Sequence, residues 1–386
     1  MVFRSLYSSA TLLCSVVLSA CSSSGTEPAA TGNGTIELHV ATTGTDVDPD
    51  GYSVSVDGGA DQALAANATV SWSGEAGSHA VAITGLAFNC DLTTNPTTAA
   101  VAPGETTHID AHVTCAPYLR NVIIYSSQAF GLPEVMIMRP DGSRSQRLTT
   151  NQWVYVNPAA SPDGQTIAVE TQAGTGSRTG IYLLDRFGKG PTKFPGHGPD
   201  DVAPAWSPNG TMLAFGSTVR GVRGNAGRIF VANRDGTGVR QVSPETVDYT
   251  YDTWPAWSPD GTRIAYSHTG VLTVINVDGT GERSLGINGN YPAWSPDGAH
   301  IAYVGLVNGI QAIFIADPNG ANVRQLTTPA QGDQSPEWSP DGTQIVFTRT
   351  EGTVTRLYKM TADGTGQTRL TAGTQSEYGA RWTPTF

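Results

Sequence analysis

One phrase recurs five times in the chain: Pro158-Ala-Ala-Ser-Pro-Asp-Gly164, Pro204-Ala-Trp-Ser-Pro-Asn-Gly210, Pro255-Ala-Trp-Ser-Pro-Asp-Gly261, Pro292-Ala-Trp-Ser-Pro-Asp-Gly298 and Pro336-Glu-Trp-Ser-Pro-Asp-Gly342. A shortened sixth copy, Ala380-Arg-Trp-Thr-Pro384, follows them. The equivalent positions Ala160, Trp206, Trp257, Trp294, Trp338 and Trp382 stand 46, 51, 37, 44 and 44 residues apart, which is the spacing of propeller blades. Charged residues make up only 14% of the chain, with 45 Gly and 24 Pro, a composition suited to strands and turns.

Each repeat has one grammar. A Pro-Ala-Trp strand runs into the Ser-Pro-Asp-Gly turn, an apolar strand such as Arg263-Ile-Ala-Tyr-Ser267 follows, and a loop leads to a third strand such as Arg228-Ile-Phe-Val-Ala232. An Asp-Gly turn and a short fourth strand complete the blade. Pro presets φ for a type I turn, Asp suits the next position, and Gly takes the left-handed position after it. A ring of calcium-binding Asp is the sharper alternative, but Asn209 and Thr385 replace Asp in two copies, which a turn tolerates better than a metal site. The Trp residues are expected to fill the space between neighbouring sheets.

The repeats are out of phase with the chain. The Trp382 strand has no successor and the strand from Val122 has no predecessor, so Ala380–Pro384 is expected to be the inner strand of the blade formed by residues 121–150. Six blades result, and closure removes free sheet edges. The fold class predicted is all-β: a six-bladed β-propeller preceded by a small immunoglobulin-like β-sandwich.

Trp-Ser-Pro-Asp-Gly followed by Ile-Ala-Tyr or Ile-Val-Phe resembles the PD40, WD40-like repeat of TolB-type propellers over residues 118–386. The resemblance implies a periplasmic six-bladed propeller that binds protein partners; separately, no cofactor is expected and, for want of a recognisable catalytic motif, no enzymatic activity. It departs from that family upstream of the repeats, where short alternating runs such as Ile36-Glu-Leu-His-Val40 and His79-Ala-Val-Ala-Ile83 predict the sandwich over residues 35–117.

Residues 1–20 read as a signal peptide: one positive charge, a short apolar run and Leu18-Ser-Ala-Cys21, which resembles a lipobox with Cys21 as the lipidated residue. An ordinary cleavage site after Ala20 is the alternative. Ser22 stands where an inner-membrane retention signal places Asp, so the resemblance implies an outer-membrane lipoprotein of a bacterial envelope. Residues 21–34, rich in Ser, Gly and Ala, are expected to be a flexible tether. Of the four cysteines, Cys14 leaves with the signal, and Cys90 and Cys115 are expected to form a disulfide stabilising the domain by about 3–4 kcal/mol.

No Lys or Arg occurs between Arg4 and Arg120, whereas residues 121–386 hold 20 basic against 22 acidic residues. An acidic module repels nucleic acid and anionic headgroups, so the sandwich reads as a spacer and membrane contact is expected through the lipid anchor alone. Asp46, Asp48 and Asp50 with Asp57 resemble part of an EF-hand loop, but strands flank them and Asp57 is carried too far along one; an acidic turn is the expectation. His108 and His112 share a strand face about 13 Å apart, too far for one metal. The propeller histidines, His197, His268 and His300, show no pairing. The chain has no nucleophile elbow, zinc helix or phosphate loop, so no catalytic residue is predicted.

Binding is expected on the face opposite the Ser-Pro-Asp-Gly turns, where the irregular loops gather. Its candidates are Trp153, Tyr155, Asp200, Asp201, Tyr249, Tyr251, Asp252, Trp254, Tyr291, Asp333, Glu377 and Tyr378, with Arg220, Arg223 and Arg228 from one further loop. An envelope protein or peptide is the expected partner. A polysaccharide, bound or cleaved by a lyase, is the alternative, and a passive structural lipoprotein is a third.

Overall fold

The computed structural model describes residues 32–48, 50–150, 153–172, 178–195, 198, 200–217, 227–244 and 250–385. The signal, Cys21 and most of the tether lie outside them. Every regular element among the described residues is a strand. The chain forms two compact units, one of Met1–Thr42, Pro49–Leu86 and Leu92–Val113, the other of Thr43–Asp48, Ala87–Asp91 and Thr114–Phe386.

Eight strands precede the repeats: β1 (Asn33–Gly44), β2 (Tyr52–Val56), β3 (Gln62–Leu64), β4 (Thr69–Glu75), β5 (Gly77–Thr84), β6 (Cys90–Thr94), β7 (Thr98–Val101) and β8 (Thr106–Cys115). They build two four-stranded sheets, ordered β4-β1-β8-β6 and β3-β2-β5-β7. Period-two alternation does the sorting: Ile36, Leu38 and Val40 of β1 are buried while Glu37 and His39 are not, and Val54, Val81, Ile83, Ala99 and Val101 supply buried positions of the second sheet. Cys90 and Cys115 are bonded and buried.

The acidic run resolves into structural contacts. Asp46 Oδ2 accepts the Tyr118 backbone N–H at 3.0 Å and its Oδ1 lies 2.6 Å from Arg186; Asp48 accepts the Ala87 N–H at 2.6 Å. Among the described residues no cluster of His, Cys, Asp and Glu is arranged to hold a metal.

Six four-stranded sheets follow, and the structure is a six-bladed propeller. Their inner strands are Glu377–Trp382 (blade 1), Val154–Ala160, Val202–Trp206, Asp252–Trp257, Asn290–Trp294 and Asp333–Trp338 (blades 2 to 6). Blade 1 is closed by the two ends of the repeat region: Trp382 stands opposite Ile123 and Glu377 opposite Ser127. Val122 and Thr383 exchange hydrogen bonds, N–H to carbonyl at 2.8 Å and N–H to hydroxyl at 2.9 Å.

The repeated turn owes its shape to short-range hydrogen bonds. The Gly N–H of each full copy donates to the Ser carbonyl at 2.8–2.9 Å, with the Gly at φ between 64° and 71°. The Asp carboxylate takes the Ser hydroxyl and the N–H two residues on, as Asp260 does with Ser258 and Thr262. Asn209 makes the same two contacts with its amide oxygen, which is why Asn replaces Asp here without consequence. The Ser258 hydroxyl, the largest cause, brings Asp260 from its ordinary 3.8 down to about 2, and Asp297 and Asp341 are lowered by their serines likewise. Carboxylates lowered on folding stabilise the fold above pH 3.8, and that stabilisation fades as pH falls toward 2. The triple substitution Asp260→Asn, Asp297→Asn and Asp341→Asn is therefore expected to lower the melting temperature at pH 7 modestly, since the amide oxygen keeps the turn contacts without the charge, and to flatten its decline in acid. An unaltered acid limb in thermal scans would assign acid sensitivity elsewhere.

The tryptophans pack between blades. Trp206 joins Ile181 and Phe194 of blade 2 to Leu213 and Phe215 of its own blade, and its indole N–H donates to the Ala159 carbonyl at 3.1 Å. Trp257 repeats the arrangement with Ala205 at 3.0 Å. Arg263 lies over the Trp294 ring, 4.9 Å from its centroid.

Candidate functional site: a ring of six bulges around the propeller cavity

Every inner strand carries the same irregularity. In blade 4, Thr253 pairs with Ser267 and Ala256 with Ala265, so Trp254 and Pro255 together face one residue of the neighbouring strand. Such a bulge bends the strand and re-aims a side chain. The residue before the repeated Pro is left-handed in each blade: Asn157 (φ 51°), Ala203 (52°), Trp254 (59°), Tyr291 (53°) and Ser335 (50°). In blade 1 the position is Gly379 (63°), followed by Ala380. A non-glycine residue held left-handed costs about 1–2 kcal/mol, so five bulges carry strain that only the surrounding ladder maintains.

All six bulge residues line one cavity of about 910 Å³ on the face opposite the repeated turns. Pro, Trp and the turn recur almost unchanged between blades, whereas the bulge residue is Asn, Ala, Trp, Tyr, Ser or Gly. The scaffold thus leaves this position free to vary. In a six-membered ring blade 4 stands opposite blade 1, so Trp254 faces Gly379 and Tyr291 faces Asn157. Trp254 and Tyr291 pack together, ring centroids 4.2 Å apart and planes at 31°. One side of the cavity is therefore aromatic and the other small. Gln128, Ser217, Thr253, Gln334, Thr348, Thr355 and Ser376 add neutral hydrogen-bonding groups.

Two residues upstream of the bulge, four blades bear a buried acid: Asp201, Asp252, Asp333 and Glu377. Asp333 takes a two-pronged contact from Arg349, at 2.7 and 2.8 Å. Asp252 Oδ1 lies 2.6 Å from His268 Nδ1, with Arg228 at 4.0 Å. Burial raises its pKa, incompletely offset by hydrogen bonds from Ser243 and His268. Glu377, also raised by burial, faces Arg356 at 3.7 Å, and Asp201 accepts the Gly198 N–H at 2.7 Å. Arg228 spends its guanidinium on the Gly227 and Thr250 carbonyls at 2.7 and 3.0 Å.

The rim assignment is corrected accordingly. Tyr155, Asp201, Asp333 and Glu377 are buried, because each lies two residues upstream of a bulge, where the inner strand turns its side chain into the sheet. Arg228, at the start of the third strand of blade 3, is buried by its contacts with Gly227 and Thr250. Tyr251, Asp252, Trp254, Tyr291 and Tyr378 do line the cavity. Trp153 is exposed and stacks on Tyr155 at 6.4 Å, and Asp200 is half-exposed. Arg220, Arg223 and Tyr249 fall outside the described residues. Asn157, Ala203, Ser335, Gly379 and Glu170 are cavity residues that the reading of the loops missed; for Asn157, Ala203 and Ser335 the position just before the repeated Pro was the available signal. Exposed apolar side chains also gather on this face: Phe130, Leu132, Trp153, Tyr251 and Leu306, the last 68% exposed.

Below the bulges the cavity closes. The residue before the repeated Trp is Ala159, Ala205, Ala256 and Ala293 in blades 2 to 5, but Glu337 in blade 6 and Arg381 in blade 1. Arg381 reaches across the ring to donate to the Pro204 carbonyl at 2.8 Å. Burial raises Glu337 and lowers Arg381, and the attraction between them opposes both shifts. A space of about 40 Å³ remains between this pair and the bulge ring.

With this geometry in view, comparison with known proteins places the repeats. The family model described as "TolB beta propeller domain" matches residues 253–385. The propeller is TolB-like. A curated relative, the Protein TolB homolog of Chlorobium luteolum, is 32% identical over 144 residues, which is 37% of this chain and 30% of that protein. The match thus spans less than a third of that relative's length. Crystallised TolB from Acinetobacter baumannii superposes with a TM-score of 0.55 at 22% identity, over 68% of this chain and 67% of its own. A TolB from Agrobacterium tumefaciens, described as putative, gives 0.54 at 21% identity, over 69% of this chain and 99% of that one. At these identities the structural likeness speaks to the fold.

Proposed function

We propose that the chain is a lipid-anchored envelope protein, held at the outer membrane through Cys21, whose TolB-like propeller binds a protein or peptide partner in the bulge-ring cavity without catalysing a reaction. The observation that carries this reading is the cavity itself: about 910 Å³, open on one face, with the Trp254–Tyr291 pair opposite Gly379. Aromatic anchors in a water-excluding pocket are where interface energy concentrates. The exposed apolar crown of Phe130, Leu132, Trp153, Tyr251 and Leu306 supplies a rim for the body of a partner. The tether and the first unit then act as spacer between membrane and propeller.

The test is affinity capture from the native envelope with the full protein and with Trp254→Ala or Tyr291→Ala. Ala203 already occupies the same left-handed position, so the ring accommodates alanine. Loss of an anchor worth about 2 kcal/mol reduces recovery of a specific partner roughly thirty-fold while the melting temperature stays near the parent value. Equal recovery with both variants would sink the reading. Retention of glycans in place of protein would redirect the cavity to the polysaccharide alternative.

A further inference from the structure

The first unit holds a second opening, far in sequence from the propeller repeats and independent of their proposed function. Strand β4 is an edge strand in which no residue is fully buried, although its partner β1 buries every second side chain. Trp72 stands opposite Ile36 and Gly74 opposite Gly34 across the β4–β1 pair, so Trp72 and Gly74 share the inward face with buried Ile36. The covering sheet, ordered β3-β2-β5-β7, contributes Val56, Asp57, His79 and Val101 opposite them. A cavity of about 200 Å³ results, walled by Ile36 and Val101 on its apolar side, by Trp72, and by Asp57 and His79.

The polar wall is fixed in one arrangement. His79 Nδ1 lies 2.6 Å from Asp57 Oδ2, and its Nε2 lies 2.8 Å from the Glu75 carbonyl. Both partners accept, so the pair favours the imidazole with both nitrogens protonated, and the Asp57 carboxylate raises its pKa. Asp57 Oδ1 takes the Ala80 N–H at 2.8 Å. Neither histidine N–H is left for a ligand, whereas the carboxylate keeps acceptor capacity. A group entering here meets an indole, two aliphatic side chains and a carboxylate that, with one donor on each oxygen, can still accept another. No Lys or Arg lies anywhere between Arg4 and Arg120, so the surrounding field favours cations.

We propose that this cavity binds an alkylammonium group, its stem against Ile36, Val101 and the Trp72 face and its N–H donors on Asp57. An ammonium matches the site on three counts: it brings donors only, it is attracted by the ring face, and it complements the acidic unit. A carboxylate ligand fails on charge, and an alcohol lacks the charge.

The probe is n-butylammonium, titrated into the full protein while the Trp72 indole N–H resonance is followed, that signal being assigned by its loss in Trp72→Phe. A saturable shift in the millimolar range is expected, at least ten-fold weaker for Asp57→Asn and absent with n-butanol. Because Asp57→Asn disturbs the hairpin, Gly74→Val provides the second variant. A Cβ there meets only His79 Cε1 at 3.8 Å, so the strand tolerates it while the side chain fills the opening, and binding should vanish. Nα-acetyl-lysine amide in place of butylammonium distinguishes a protein lysine from a free amine as the source. Equal shifts from butanol, or no saturable shift, would overturn the proposal. Trp254→Ala should leave this titration unchanged, so its outcome is separate from that of partner capture.

Discussion

Removal of residues 377–386 is expected to unfold the propeller or to leave it without a cooperative transition. The deleted strand supplies the inner edge of blade 1, pairing with Ile123–Ser127. It also places Ala380 and Trp382 on an apolar cluster of Ile123, Tyr125, Met136, Met138, Val346 and Leu357. Loss of a packed Trp alone costs about 3–5 kcal/mol, and the buried strand Ile123–Ser127 is left as an open edge besides, against a total stability of about 5–15 kcal/mol. Circular dichroism and limited proteolysis are the readouts. A synthetic peptide of residues 377–386 should restore part of the protection. An unchanged melting temperature would mean that the ring does not depend on this closure.

Arg349→Met is expected to destabilise the propeller by about 3 kcal/mol. It strips the two-pronged partner from Asp333, whose side chain has no solvent exposure, and leaves a carboxylate buried without its cation. The low end of the range for breaking a buried pair applies, because Arg349 keeps 21% of its side-chain surface in water. Urea denaturation of Arg349→Met, Asp333→Asn and the double variant separates the terms. The double variant should recover roughly half of the loss, since the stranded charge is then gone. A single substitution costing no more than an exposed ion pair would show that water reaches Asp333.

Why the scaffold was legible in the sequence and the site was not comes down to one residue per blade. Turn and packing residues recur with identical local chemistry. Ser-Pro-Asp-Gly closes its own hydrogen bonds within a few residues, and a Trp at a constant offset marks the space between sheets. The division of blade 1 between the two ends of the repeats could be read from a missing successor and a missing predecessor. The bulge is different: an extra residue breaks the period-two rule, so the facing of every side chain upstream of it is inverted. Asp333 and Glu377, polar and close to a loop, read as rim residues for that reason, and the structure buries both. Asn157, Ala203 and Ser335 carried no chemical signature of their own. Only their shared place before the repeated Pro identifies them, and Gly379 lacks even that, because Ala380 follows it.

In the first unit the alternating runs became strands where they were expected, but alternation does not say which strand ends up uncovered.

The hydrogen bonds that seal blade 1 join residues 261 positions apart. During synthesis the segment beginning at Val122 emerges before its completing strand, which follows only after five further blades. Until then Ile123–Ser127, buried along its whole length in the finished ring, presents an unpaired edge to whatever else is nearby. The chain is thus most vulnerable to misassociation until Glu377–Trp382 pairs with Ile123–Ser127, and that one strand decides whether the ring persists.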